Sequence, residues 1–284
     1  MPEVTLAAPP ALTPLLLRGA VRSPFRRPHP GAAFPRDRLV LPGVRVDAVR
    51  LARYERACGF PTGARTLPVT YPHVLAFPLA MRLMSARAFP LPLLGLVHTS
   101  ISVARHRPLP VGGEYELAVH VPGLAAHRRG TEATVVTEAR LGGAVVWESA
   151  STYLARHGDG SDGSDGADGA DGADGRSAAE PLPVRESWRL GADVGRRYAG
   201  VSGDRNPIHL SAATARLFGF RRAVAHGMWT AARCLAAFGD VERVQVAFRA
   251  PVPLPGCVEY GASEKGFELR SAGRLHLVGS VRGW

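Results

Sequence analysis

Two long apolar segments, each followed by a series of short alternating runs, set the plan of this chain. Residues 73–88 and 227–238 are apolar on nearly every side, which reads as two buried helices. Period-two runs follow the first at 97–107, 114–121, 131–139 and 145–155, and follow the second at 241–250, 257–263, 267–271 and 275–282. Such alternation predicts antiparallel strands with one buried face. Each long helix is preceded by one strand, 39–46 or 184–190, and by shorter helical material. In the first half this is a helix over 47–58. In the second, Asp193 caps a short helix to Ala199, and Ser211 caps another through Phe218 that Gly219 ends. Pro78 predicts a kink in the first long helix. The halves therefore read alike. A local echo supports a repeat: Arg105-His106-Arg107-Pro108 ahead of Gly112 corresponds to Arg249-Ala250-Pro251 ahead of Gly256. Residues 1–36, rich in Pro and Arg, read as an extended or partly helical arm.

The tract 158–175, GDGSDGSDGADGADGADG, divides the halves and carries no large apolar side chain. It cannot bury enough surface to offset ordering and is expected to be disordered. Its Gly158-Asp159-Gly160-Ser161-Asp162-Gly163 fits a dinucleotide-binding glycine pattern, but no strand precedes it and no helix follows. Its aspartates miss the calcium-loop spacing. The expected domains are the arm 1–36, a first domain 37–157, a linker 158–176 and a second domain 177–284.

The formal net charge is +11, and all but Lys265 of the 35 basic residues are arginine. An arginine-for-lysine bias beside abundant Ala, Gly and Pro resembles the coding bias of a GC-rich genome. The arginines are scattered rather than interleaved with aromatics, so nucleic acid is not the expected partner. A basic surface equally suits phosphorylated or acidic partners. No apolar run reaches the roughly 20 residues of a membrane span, and Leu15-Leu16-Leu17 lacks the flanks of a secretory leader. Cys58, Cys234 and Cys257 form neither a metal pattern nor a disulfide framework, so a reducing cytoplasm is the expected compartment.

The chemistry concentrates in 198–228, YAGVSGDRNPIHLSAATARLFGFRRAVAHGM. Asp204, Asn206 and His209 share a turn fixed by Pro207, and His226-Gly227 follows at the start of the second long helix. An acid and a base near helix N–H groups suit proton transfer beside a developing oxyanion. Taken alone, such an Asp-x-Asn-Pro segment reads as a capped turn. Ser202 fails the nucleophile-elbow pattern, because Asp204 stands at its last position and a helix precedes it, so its expected role is structural.

Tyr198-Ala199, Ser202-Gly203-Asp204, Asn206-Pro207-Ile208-His209, Gly219-Phe220 and Ala225-His226-Gly227-Met228 together resemble the MaoC-like, R-specific enoyl hydratase family, also called hydratase 2. The resemblance is to its two-domain (3R)-hydroxyacyl-thioester dehydratases. It implies an α+β double hotdog, two antiparallel sheets each wrapped around a long helix. The first half is then a degenerate partner, with Thr70-Tyr71-Pro72-His73 in the place of Ala225-His226 and no counterpart of the catalytic turn. The implied reaction is reversible addition of water to a trans-2-enoyl thioester of coenzyme A or acyl carrier protein, as in fatty acid metabolism, without metal or cofactor. Asp204 and His209 become the catalytic dyad and Gly227 the oxyanion donor, with Asn206, Ser202 and His226 supporting. A non-catalytic acyl-thioester or carrier-protein binding module stays open as an alternative, as does a hotdog thioesterase. A homodimer is left open beside the monomer.

Overall fold

The computed structural model describes residues 1–156 and 180–282. The Asp/Gly tract, its glycine pattern and the linker assigned to 158–176 lie outside the described residues. The chain forms two compact units: Met1–Leu51 with Gly63–Gly160, and Ala52–Thr62 with Ser161–Trp284.

Unit 1 contains β1 (Glu3–Thr5), α1 (Leu12–Arg22), β2 (Arg38–Arg45), the start of α2 (Ala48–Cys58), α3 (Tyr71–Met84), β3 (Val97–Arg105), β4 (Glu114–His127), β5 (Gly130–Leu141) and β6 (Ala144–Arg156). Its strands run in the order β1-β2-β4-β5-β6-β3, with β1 parallel to β2 and the other pairs antiparallel. The apolar helix α3 is mostly buried, packs on β4 and β5, and carries Pro78 in its interior. The Trp147 indole N–H donates to Val69 O at 2.7 Å just ahead of α3. This satisfies a polar group that burial would otherwise penalise. Gly142 and Gly143, both at positive φ, make the β5–β6 turn, the handedness that matches strand twist. One strand exceeds its expected end. β4 runs past Val121 to His127, because Pro122 falls in a register shift between His120 and Gly123, where its missing N–H breaks no ladder bond.

Unit 2 contains the rest of α2, then β7 (Val184–Leu190), α4 (Val194–Ser202), α5 (Ala212–Arg216), β8 (Ala223–Val224), α6 (Gly227–Phe238), β9 (Arg243–Phe248), β10 (Pro253–Leu254), β11 (Gly256–Ser263), β12 (Gly266–Ser271) and β13 (Arg274–Arg282). An antiparallel sheet in the order β9-β13-β12-β11-β7 receives α6 on β12 and β13, and β8 pairs with β10 alone. Each unit is thus a hotdog, a sheet wrapped on one apolar helix. Among the described residues, no helix is long and apolar enough to cross a membrane.

Three sequence expectations are corrected. Asp193 makes no capping hydrogen bond; its carboxylate pairs instead with Arg197 at 3.0 Å, one helical turn on. The first domain is not the uninterrupted span 37–157, since Ala52–Thr62 packs within unit 2. There Ala57 O accepts the Trp229 indole N–H at 2.7 Å and Cys58 is fully buried. In the internal echo, the N–H groups of His106 and Arg107 both point to Val146 O, at 2.8 and 3.3 Å, and those of Arg249 and Ala250 both point to His276 O, at 2.8 and 3.2 Å. Gly113 and Gly256 then each crowd a proline carbonyl three residues back, Pro110 O and Pro253 O. The partner of Gly256 is therefore Gly113, not Gly112.

Candidate active site

The turn that carries the acid and the base is built from main-chain constraints. α4 stops at Gly203, whose φ of +84° and N–H bond to Ala199 O (3.0 Å) form a left-handed cap. A side chain there would meet the strain that glycine avoids. Ser202 Oγ donates to Tyr198 O at 2.9 Å and accepts the Asp204 N–H at 3.2 Å. Asp204 Oδ1 accepts the Asn206 N–H at 3.1 Å, and Asn206 Oδ1 accepts the Ile208 N–H at 3.4 Å. Pro207 opens a 3-10 turn, Pro207–His209, and Ser211 caps α5 by accepting the Thr214 N–H at 3.1 Å. Ser202 and Asn206 thus hold the loop through hydrogen bonds to the main chain.

His209 is buried and its Nδ1 lies 2.7 Å from Val224 O. A carbonyl only accepts, so Nδ1 carries the proton and Nε2 presents a lone pair. Burial lowers the His209 pKa, while Asp204 and the Val224 carbonyl oppose the shift. The ring is therefore a neutral base at neutral pH. His226 stacks on it with centroids 3.7 Å apart. His226 Nε2 lies 3.0 Å from Asp204 O but 4.0 Å from the carboxylate Oδ2. The shorter contact is the hydrogen bond, so His226 ties down the main chain of the acid's turn. Its Nδ1 is buried without a hydrogen-bond partner among the described residues. Tyr198, buried, backs the His226 ring at 4.9 Å and meets Tyr54 from α2 at 6.2 Å.

Donor atoms of Asp204, His209 and His226 all lie within 4.8 Å of one another. Two acceptors joined by one water, with hydrogen bonds of about 2.8 Å at a tetrahedral angle, stand about 4.6 Å apart. The spacing suits a shared water. The same three groups also have the composition of a small metal site, which sequence alone did not suggest. Asp204 is the solvent-facing member, with its side chain 32% exposed. Gly227 opens α6, following His226 in extended conformation, so its N–H belongs to the group of first-turn donors that have no intrahelical acceptor. A Cβ on Gly227 would lie 3.2 Å from the Phe248 ring.

Sequence reasoning missed Gly195. A Cβ there would sit 1.9 Å from His209 O, so α4 and the turn that carries His209 touch backbone to backbone. Replacing Gly195 with Ala must push the turn away. The expected result is a loss of about 1–3 kcal/mol in stability from overpacking and about 10²-fold in turnover from misplacing His209. Denaturant unfolding and steady-state rates on the same preparation check this; a variant with wild-type values in both would show that the turn relaxes freely.

Acid stability follows from the buried imidazoles. Burial, then the adjacent His209 ring, holds His226 down to about 3. In unit 1, burial, then His73, holds His98 down to about 3. Free imidazole titrates near 6.5, so as pH falls the unfolded chain takes up these protons first. The stability gained by burying neutral rings is fully present above about pH 6.5 and is lost progressively below it. The slope reaches about 1.4 kcal/mol per pH unit for each ring. Thermal midpoints across this range are expected to drop steeply on the acid side, and a flat profile would contradict neutral burial.

Residues 177–270 match the model of the MaoC like domain family. Over 248 residues the chain is 33% identical to 3-hydroxyacyl-thioester dehydratase X of Mycobacterium tuberculosis, covering 84% of this chain and 86% of that protein. The crystal structure of the M. tuberculosis protein HtdX superposes with a TM-score of 0.74 at 30% identity, over 87% of this chain and all of that one. A MaoC-like dehydratase from Phytophthora capsici gives a TM-score of 0.68 at 17% identity over 90% of this chain and 98% of its own, a likeness of fold.

Proposed function

The chain belongs to the MaoC-like dehydratase family, and on that basis we propose that it hydrates trans-2-enoyl thioesters to (3R)-3-hydroxyacyl thioesters and catalyses the reverse dehydration. The observation that carries the reading is the neutral His209 ring, its Nδ1 held by the Val224 carbonyl, with a ring nitrogen within 4.8 Å of an Asp204 carboxylate oxygen on the Pro207 turn. In hydration, the two side chains hold one water. As its oxygen bonds to C3, the dyad accepts a proton, and a proton returns to C2, so that H and OH add across the double bond. Charge that develops on the thioester oxygen meets the Gly227 N–H at the positive end of α6. His226 holds the acid's turn in place. No cofactor takes part.

The substrate is carried by coenzyme A or acyl carrier protein in fatty acid metabolism, and both suit the basic composition. Free Cys58, Cys234 and Cys257 suit a reducing cytoplasm. The alternatives have less support: neither α3 nor α6 carries the carboxylate that hotdog thioesterases commonly place on this helix, and a pure binding module has no use for a poised base. The test is purified protein with a series of enoyl-coenzyme A and enoyl-carrier substrates. Loss of conjugated-thioester absorbance with an R product is expected; thiol release would reassign the site to thioester hydrolysis, and saturable binding without turnover would reassign it to a binding module.

A further inference from the structure

Helix α1 does more than tie the N-terminal segment to unit 1. Its inner face is fixed. Leu15 and Gly19 are buried, and a Cβ on Gly19 would collide with the Leu93 side chain. Ser23 Oγ donates to Gly19 O at 2.8 Å and accepts the Leu94 N–H at 2.9 Å. Arg22 reaches Ser85 O at 3.2 Å, and Arg26 reaches Ala86 O at 2.7 Å, which complements the negative end of α3. The outer face is different. Leu17, Val21 and Phe25 recur every four residues and are 65%, 63% and 82% exposed. They project outward from a rigidly docked helix and the 3-10 turn that extends it.

Beside this stripe lies a cavity of about 640 Å³. Arg18, Arg22, Arg82 and Arg87 line it over an apolar wall that includes Pro14 and Leu15. None of the four forms an ion pair with a carboxylate among the described residues. Crowding of like charge is also felt by Arg26, whose pKa is lowered by burial and then by Arg22. Uncompensated guanidinium groups that share one hollow call for an anion, and their planar forks suit phosphoryl oxygens.

We propose that α1 and its 3-10 extension form a docking face for an anionic lipid bilayer, with Leu17, Val21 and Phe25 entering the acyl boundary and the arginine-lined cavity receiving phosphoryl headgroups. A free phosphate would satisfy the arginines but leave the projecting stripe without a role. A protein partner needs a groove shaped to three protruding side chains, whereas a bilayer accepts protruding side chains without a matched cavity. It also supplies negative charge and hydrocarbon at depths about 5–10 Å apart.

The test is sedimentation of the full chain with vesicles of phosphatidylcholine alone or mixed with phosphatidylglycerol. Partition onto the mixed vesicles is expected, weakening as salt is raised. Leu17→Ser with Phe25→Ser should lower partition at least about tenfold, the scale of burying one large apolar side chain. Arg18→Gln/Arg82→Gln/Arg87→Gln should lower it far more than the charge-matched Arg189→Gln/Arg216→Gln/Arg221→Gln in unit 2. Soluble glycerol phosphate should release no more protein than sodium chloride does at the same ionic strength. Circular dichroism of each variant verifies its fold. Absence of partition, equal effects of the two arginine sets, indifference to the serine changes, or release by glycerol phosphate beyond that caused by equal ionic strength of sodium chloride would each overturn the proposal. The second and third would point to non-specific attraction of a basic chain, and the last to a soluble phosphate site.

Discussion

Turnover of an enoyl thioester is expected to fall by about 10³-fold in His209→Gln and in Asp204→Asn, within the 10²–10⁴ range of positioned acid–base groups. The substitutions are chosen for what they keep. Asn at 204 still offers an oxygen to the Asn206 N–H, so the turn survives while the proton acceptor is lost. Gln at 209 retains an amide donor for Val224 O but has no basic nitrogen. Stability should therefore change little, and the loss should appear in kcat at saturating substrate rather than in KM. Because the two groups act on one water, the double variant should be little worse than either single one. Rates within about tenfold of wild type would move proton transfer elsewhere, and His226, a member of the same cluster, would be the first candidate.

The second large effect concerns a backbone atom. Gly227→Pro removes the N–H assigned to the oxyanion at a position where a helix tolerates proline. The preceding His226, at φ −63° and ψ 138°, already has the conformation proline requires of its neighbour. The expected loss is about 10²–10³-fold in kcat, the scale seen on removing one oxyanion donor. Gly227→Ala is the control. It places the same Cβ against Phe248 at 3.2 Å but keeps the N–H, so it should lose far less. Equal losses in the two variants would mean that crowding by Phe248, and not the missing donor, is responsible.

The positions of Asp204, His209 and Gly227 as candidates were legible because each is a side-chain or helix-start choice that local chemistry restricts. Pro207 fixes the turn, Gly203 ends α4, and the apolar run after Gly227 marks α6. Most strands of the two sheets were legible from alternation, but β1, read as part of an arm, was not. What escaped was the main chain's own contribution. The carbonyl of Val224 selects the His209 tautomer, yet any residue at 224 would present one. Gly195 matters because His209 O lies against it, a contact between segments that no local pattern encodes. Asp193 stands where a cap belongs, but an arginine one turn on competes for it. The outward stripe on α1 was hidden in a segment read mainly through its Pro and Arg content.

The Asp/Gly tract looks like a seam, but the route of the chain says otherwise. Having begun in unit 1, it enters unit 2 at Ala52 and leaves after Thr62, and the described residues from Glu180 onward belong to unit 2 again. In unit 2, Ala57 holds the indole of Trp229, two residues past Gly227, and Tyr54 leans on the tyrosine behind His226. The half that carries Asp204 and His209 is therefore not a transferable module. A chimera spliced between relatives at the tract would give each active site a floor inherited from the other parent, so the two halves must be exchanged and selected together.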